Sequence, residues 1–205
     1  VDEIDSSIAG GFTGVFVGLV RGGIMGCYFD NCNHAEQTVR IPFFDRSHIN
    51  NNYMARPNKT KNVLKIHSFD YTQVALYSEK FTVFGNVLDL RGGYAYNGTT
   101  VTEVGDCSMV IGNGGVGGGE RVRNGIIESN YTYGCRGEPK QLSFASIGCP
   151  NMTVRNNIAD FLLGSTSAVY NPIFGYPEAR FISISTSTPD PTVSVRVYNN
   201  SLYSN

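Results

Sequence analysis

The stretch that decides the fold is "VRNNIADF", Val154 to Phe161, where two asparagines separate an arginine from an isoleucine. Near-copies are "VRNGIIES" from Val122 and "VRGGIMGC" from Val20. The shared phrase is an aliphatic residue, two variable residues, Asn or Gly, then usually an apolar residue. It recurs at Val20-Arg-Gly-Gly-Ile24, Ile49-Asn-Asn-Asn-Tyr53, Val83-Phe-Gly-Asn-Val87, Val122-Arg-Asn-Gly-Ile126 and Val154-Arg-Asn-Asn-Ile158, with a weaker copy at Val197-Tyr-Asn-Asn-Ser201. The anchors lie 29, 34, 39, 32 and 43 residues apart. A fixed phrase at irregular intervals fits a coil whose turns carry loops of different length.

Short apolar strands fall before most copies: "TVRI" ending at Ile41, "VLKIHS" from Val63, "SMVIG" from Ser108, "LSFASI" from Leu142 and "RFISIS" from Arg180. Each alternates with period two, so successive side chains face opposite sides. Each turn of the coil therefore reads as strand, bend and strand-turn. The bend needs a residue that tolerates left-handed backbone geometry, and Asn and Gly tolerate it best. Stacked turns would bring the asparagine amides within hydrogen-bonding reach and pile the aliphatic side chains into a common core, which no single turn can bury alone. The fold expected is all-β: a right-handed parallel β-helix, a single-stranded solenoid of about six rungs over residues 1–205. A β-sandwich is the rival, but it calls for hairpin signals, and the connections here are long and unlike one another. "VRVYNNSLYSN" runs mid-pattern to the last residue, so the segment reads as one domain or as part of a longer solenoid, with open ends that invite pairing into oligomers or fibres.

The charge balance of 16 basic and 17 acidic residues, net −1, makes no case for nucleic acid or an anionic membrane. No apolar run approaches the ~20 residues of a membrane span. Sequons at Asn58, Asn97, Asn130, Asn151 and Asn199 are candidate glycosylation sites, and they point to a secreted or cell-surface chain. The five cysteines point the same way: Cys27 with Cys32, and Cys135 with Cys149, are candidate disulfides closing small loops, which leaves Cys107 over. Buried thiols are the alternative.

The segment "HAEQTVRIPFFDRSHINNNYMARPNKTKNVLKIHS", His34 to Ser68, resembles the right-handed β-helix proteins related to polysaccharide lyases, and the repeated phrase extends the likeness over most of the chain. That superfamily contains pectate- and alginate-lyase-like enzymes, hydrolases, epimerases and phage tailspikes. The resemblance implies a carbohydrate-active protein and, most specifically, a lyase that cleaves a uronic-acid polymer by β-elimination. In that chemistry a base removes the proton beside the carboxylate, while cations or Ca²⁺ neutralise the carboxylate. Pectate-lyase-like enzymes carry an R-x-P-x-x-R stretch; "RIPFFDR", Arg40 to Arg46, keeps Pro42 but places the second arginine one residue late.

Register supplies candidates. If Ile41 and Ile66 point inward on neighbouring rungs, Arg40 stacks on Lys65, and the outward set also holds Glu36, Thr38 and His67. Strands ~4.8 Å apart would bring these groups together. Arg40, Lys65 and His67 are the candidate catalytic residues, the two cations serving as base or carboxylate clamp, with crowding depressing the lysine pKa and His67 as a second proton carrier. Glu36, Arg46, Arg56 and Tyr71 are the candidate substrate-binding residues. With no Trp, sugar stacking would fall to tyrosines such as Tyr53, Tyr71, Tyr94 and Tyr96. Asp30, Glu36 and Asp106 are the scattered acids available to Ca²⁺. There is no Asp-Asp pair for polygalacturonase-like hydrolysis. "GNGGVGGGERVRNG" lacks the Gly-Lys-Ser/Thr and the following helix of a phosphate-binding loop. The competing function is a non-catalytic structural or adhesive β-helix.

Overall fold

Among the described residues, twenty short strands, none longer than seven residues, follow one another, and all but two keep the same three-part cadence. The computed structural model describes residues 15–30, 37–55, 62–67, 77–90, 107–112, 122–134, 141–161, 178–184 and 194–203. Each pass around the coil contributes one strand to each of three parallel six-stranded sheets.

The first sheet stacks β1 (Val15–Val20), β4 (Val39–Asp45), β7 (Leu64–Ile66), β11 (Cys107–Ile111), β15 (Gln141–Ile147) and β18 (Glu178–Ile184). The second stacks β2 (Gly23–Met25), β5 (His48–Asn50), β9 (Thr82–Phe84), β13 (Ile126–Glu128), β16 (Met152–Arg155) and β19 (Val195–Tyr198). The third stacks β3 (Tyr28–Asp30), β6 (Tyr53–Ala55), β10 (Val87–Asp89), β14 (Tyr131–Tyr133), β17 (Ile158–Asp160) and β20 (Ser201–Tyr203). A minor pair, β8 (Ser78–Glu79) with β12 (Val122–Arg123), widens the first corner of coils three and four. This is an all-β parallel solenoid of six coils.

The core is built of columns. In the first sheet Ile41, Ile66, Ile111 and Ile147 align on successive coils, and all four are fully buried. Val39, Leu64, Met109 and Ala145 form a second column one pleat away. The second sheet adds Ile49, Val83, Ile127 and Val154, and the third adds Met54, Leu88 and Ala159. Burying each large aliphatic side chain contributes about 1.5–3 kcal/mol, and a coil gains it only when another coil lies on either side.

Two sharp corners close each coil, and both use left-handed backbone. At the first corner the left-handed residues are Arg21, Arg46, Lys80, Asn124 and Asn151; at the second they are Gly26, Asn51, Gly85, Ser129, Asn156 and Asn199. Asn and Gly do occupy many of these positions, but two arginines and a lysine hold three, where a side chain beyond Gly costs about 1–2 kcal/mol.

Immediately after the second corner stands the asparagine ladder. The Nδ2 of Asn52 donates to Asn86 Oδ1 (2.9 Å), Asn86 to Asn130 (2.9 Å), Asn130 to Asn157 (3.0 Å) and Asn157 to Asn200 (3.0 Å). Each Oδ1 also accepts the backbone N–H of the preceding rung's asparagine, as Asn130 does from Asn86 N at 3.1 Å. Each Nδ2 also reaches back to a carbonyl one coil earlier, such as Asn86 to Ile49 O and Asn130 to Val83 O, both 2.9 Å. Cys27 takes the equivalent place on the first coil, its N–H bonded to Asn52 Oδ1 at 3.0 Å.

The ladder corrects the phrase count. The Val20 and Val122 copies belong to the first corner, whereas the copies at Ile49, Val83, Val154 and Val197 belong to the second. The ladder members of coils one and four are instead Cys27, after Ile24, and Asn130, after Ile127. True ladder spacings are 25, 34, 44, 27 and 43 residues. The fourth position of the phrase separates the corners: Asn joins the ladder, while Gly125 sits where an added Cβ would strike the Phe81 ring and Met152.

Replacing Asn130 with Ala would take the acceptor from Asn86 N–H and from one Asn86 Nδ2 proton, and a donor from Val83 O and from Asn157 Oδ1. We expect a loss on the order of 3 kcal/mol by urea unfolding, and about 1 kcal/mol or less for Asn200→Ala, whose surroundings are half open. Equal losses at the two sites would contradict the buried-ladder account.

Candidate functional site

Parallel pairing of β4 with β7 aligns Arg40 with Lys65 and Ile41 with Ile66. Because the isoleucines are fully buried, the two cations point away from the core, and both are half-buried. Their column continues as Val110 and Ser146, so the two basic residues are the charged members among the described side chains of this column. The expected stacking of Arg40 on Lys65 is thus present.

His67 follows Ile66 directly, and its N–H is bonded to Ile41 O at 3.0 Å. Arg40 Nε donates to His67 Nε2 at 3.1 Å. The imidazole is only 2 % exposed, which departs from its expected place on an open outward face. Burial, and then the positive charges of Lys65 and Arg40, push its pKa from 6.5 down to about 4. It is therefore a neutral imidazole at neutral pH, its Nε2 lone pair held by the guanidinium and its proton on Nδ1. A weak base with an occupied lone pair is ill suited to carry protons, but well suited to fix the direction of Arg40.

Arg46 is not part of this group. It lies at the first corner, six residues along β4, roughly 20 Å from Arg40 at the ordinary rise of a strand. Its Nε and Nη2 both hold Asp45 Oδ2. Glu36, Arg56, Tyr71, Tyr94 and Tyr96 lie outside the described residues.

One polar constellation joins Tyr53, a candidate for sugar stacking, to residues the sequence reading did not single out. On the third sheet Tyr53 and Tyr133 bring their hydroxyls 2.8 Å apart, and both reach Asp89 Oδ2, at 3.2 and 3.0 Å. Asp89 is 2 % exposed. Burial, reinforced by the Tyr133 hydrogen bond and the Asp89 charge, pushes the Tyr53 phenol up. Tyr28 stacks on Tyr53 with centroids 5.1 Å apart. The sequence signal is the pattern that follows each ladder position: Tyr28-Phe-Asp30, Val87-Leu-Asp89 and Tyr131-Thr-Tyr133 put residues one and three on the outward face. Two ion pairs bridge neighbouring coils: Arg155 with Glu128 (2.6 Å) on the second sheet, and Arg123 with Glu79 (2.8 Å) on the minor β8–β12 pair.

Among the described residues no three His, Cys, Asp or Glu side chains gather as metal ligands. Of the acids considered for Ca²⁺, Asp30 accepts from the Tyr28 hydroxyl at 3.2 Å, and Glu36 and Asp106 lie outside the described residues. The acids among the described residues do not form a Ca²⁺ site.

Three assignments from the sequence are corrected. Asn130 cannot accept a glycan in the folded chain: it is 1 % exposed and both amide protons are used in the ladder. Cys27 and Cys149 are thiols, so neither candidate disulfide is made; Cys149 is fully buried, its Sγ 3.9 Å from Ile111 O, and Cys27 heads the ladder. Cys32 and Cys135 lie outside the described residues, as do Asn58 and Asn97. Asn151 and Asn199 sit exposed at corners. Among the described residues no helix is long and apolar enough to cross a membrane.

No family model, curated protein or solved structure matches the chain.

The histidine gives a pH signature. Unfolded, His67 takes up a proton near pH 6.5; folded, it does so only near pH 4. The unfolded state therefore binds the extra proton between those values, and His67 lowers stability as pH falls from about 6.5 to 4, by at most ~3 kcal/mol, with no further loss below. The melting temperature of His67→Gln should fall less steeply over that window than that of the parent chain. Parallel slopes would sink the assignment.

Proposed function

We propose that this chain is an extracellular carbohydrate-active β-helix of the polysaccharide-lyase-like superfamily, acting on a uronic-acid polymer by β-elimination. The observation that carries the reading is the half-buried Arg40–Lys65 pair, aligned on adjacent coils, with Arg40 held by the neutral His67. A polymer carboxylate laid against Arg40 would have its charge neutralised, which makes the proton on the adjoining carbon more acidic. Lys65, in its neutral form and one strand spacing away, would take that proton. The electrons of the broken C–H bond form the new double bond as the glycosidic C–O bond opens, and the departing oxygen takes up a proton from the lysine or from water. His67 acts through Arg40 as a positioning residue.

A rigid, non-catalytic surface protein is the second reading. It is favoured by the two cross-coil ion pairs, Arg155–Glu128 and Arg123–Glu79, and by the ladder, which runs unbroken from Asn52 to Asn200.

Incubation with pectate, alginate and glycosaminoglycans, followed by ultraviolet absorbance of the new unsaturated bond, separates the two. Turnover on one polymer, reduced about 10²- to 10⁴-fold in Lys65→Ala, supports the lyase. Silence on every polymer, or a Lys65→Ala chain as active as the parent, supports the structural protein or moves the base elsewhere.

A further inference from the structure

The first corner is left-handed in five coils, yet its occupants change character along the axis. Coils one to three place Arg21, Arg46 and Lys80 there, at φ 51°, 46° and 55°; coils four and five return to Asn124 and Asn151, at 56° and 55°. Asparagine accepts this backbone readily, and arginine and lysine accept it at a cost. A cation wanted only for solubility would sit without strain at any outward strand position, so the three basic corners mark a use for that line.

Backbone bonds hold the corners in register. Arg21 N donates to Asp45 O at 3.0 Å, Arg46 N to Glu79 O at 2.8 Å, His48 N to Gly22 O at 3.0 Å and Thr82 N to Ser47 O at 3.0 Å. The three side chains are exposed. Arg46 shares Asp45 but keeps about half its side chain open, and Glu79 is engaged by Arg123; among the described residues no carboxylate pairs with Arg21 or Lys80. The result is a row of three cations, one per coil, repeating at about the 4.8 Å strand spacing along the solenoid axis.

We propose that this corner is a docking rail for an extended anionic polysaccharide lying parallel to the axis, one acidic sugar per coil. A polymer with a carboxylate on each unit, laid extended along the axis, would meet a row of cations that repeats at the strand spacing. The rail deepens the function proposed above. Lying about 20 Å from Arg40 along β4, it would hold a separate stretch or strand of polymer rather than the bond being cleaved.

The test uses the triple variant R21N/R46N/K80N beside K65A, with binding of a polygalacturonate oligomer measured by calorimetry at low and high salt. Asparagine suits the left-handed corner, so the triple variant should melt no lower than the parent. Its affinity should fall about tenfold at low salt, the scale expected for three exposed charge contacts, and its salt dependence should flatten. K65A should retain the parent affinity while losing turnover. A triple variant that is folded and binds as the parent does overturns the rail, as does equal binding of an uncharged glucan by the parent. Either result leaves the Lys65 assignment to be judged by turnover alone.

Discussion

Everything in this molecule depends on coils stacking in strict register, and the interaction that enforces register most directly is the buried asparagine ladder. A parallel sheet edge can slide by two residues without turning its apolar face outward. An amide at a fixed corner cannot slide, because its Oδ1 must accept two bonds from the coil before while its Nδ2 donates both to the coil after and to an earlier carbonyl. Slipping one coil would leave several buried polar groups unpaired at once, at 1–3 kcal/mol each. The aliphatic columns supply the larger driving force; the ladder decides which columns align.

Register then sets the chemistry of the outer faces. The first sheet carries Arg40 against Lys65 over a buried neutral histidine. The second sheet, and the minor β8–β12 pair beside it, each carry an acid–base pair that bridges neighbouring coils. The third carries tyrosines and aspartates, with Tyr53, Tyr133 and Asp89 joined through their oxygens. A solenoid can give each face a separate character because every outward position repeats along a line, so one residue per coil is enough to write a stripe.

Much of this was legible before any coordinates. Period-two strands such as "VLKIHS" and the inward isoleucines gave the Arg40–Lys65 alignment correctly, because a single register choice propagates along a whole strand. The phrase itself misled at two of its six copies. Val122-Arg-Asn-Gly and Val154-Arg-Asn-Asn meet the same left-handed backbone demand with Asn124 and Asn156, so the bend alone does not distinguish the corners, and the local difference is Gly or Asn at the fourth position. What separates them is the partner across the coil: another amide in one case, the Phe81 ring in the other. The burial of His67 escaped for a similar reason. Alternation after Ile66 directs the side chain away from the core, and only the surrounding packing closes over it.

The sequence by itself determined that the chain turns repeatedly through left-handed bends between short alternating strands, and hence that its coils must stack to bury their apolar faces. Those properties are local, set by backbone sterics and by the spacing of hydrophobic residues. Tertiary structure alone decided which asparagines share the ladder, that Asn130 is locked within it, that His67 is neutral beneath Arg40, and that three cations fall in line at one corner. Each of these joins residues 25 to 47 positions apart through hydrogen bonds or register. The intervening loops differ in length from coil to coil, so no sequence interval foretells the meeting.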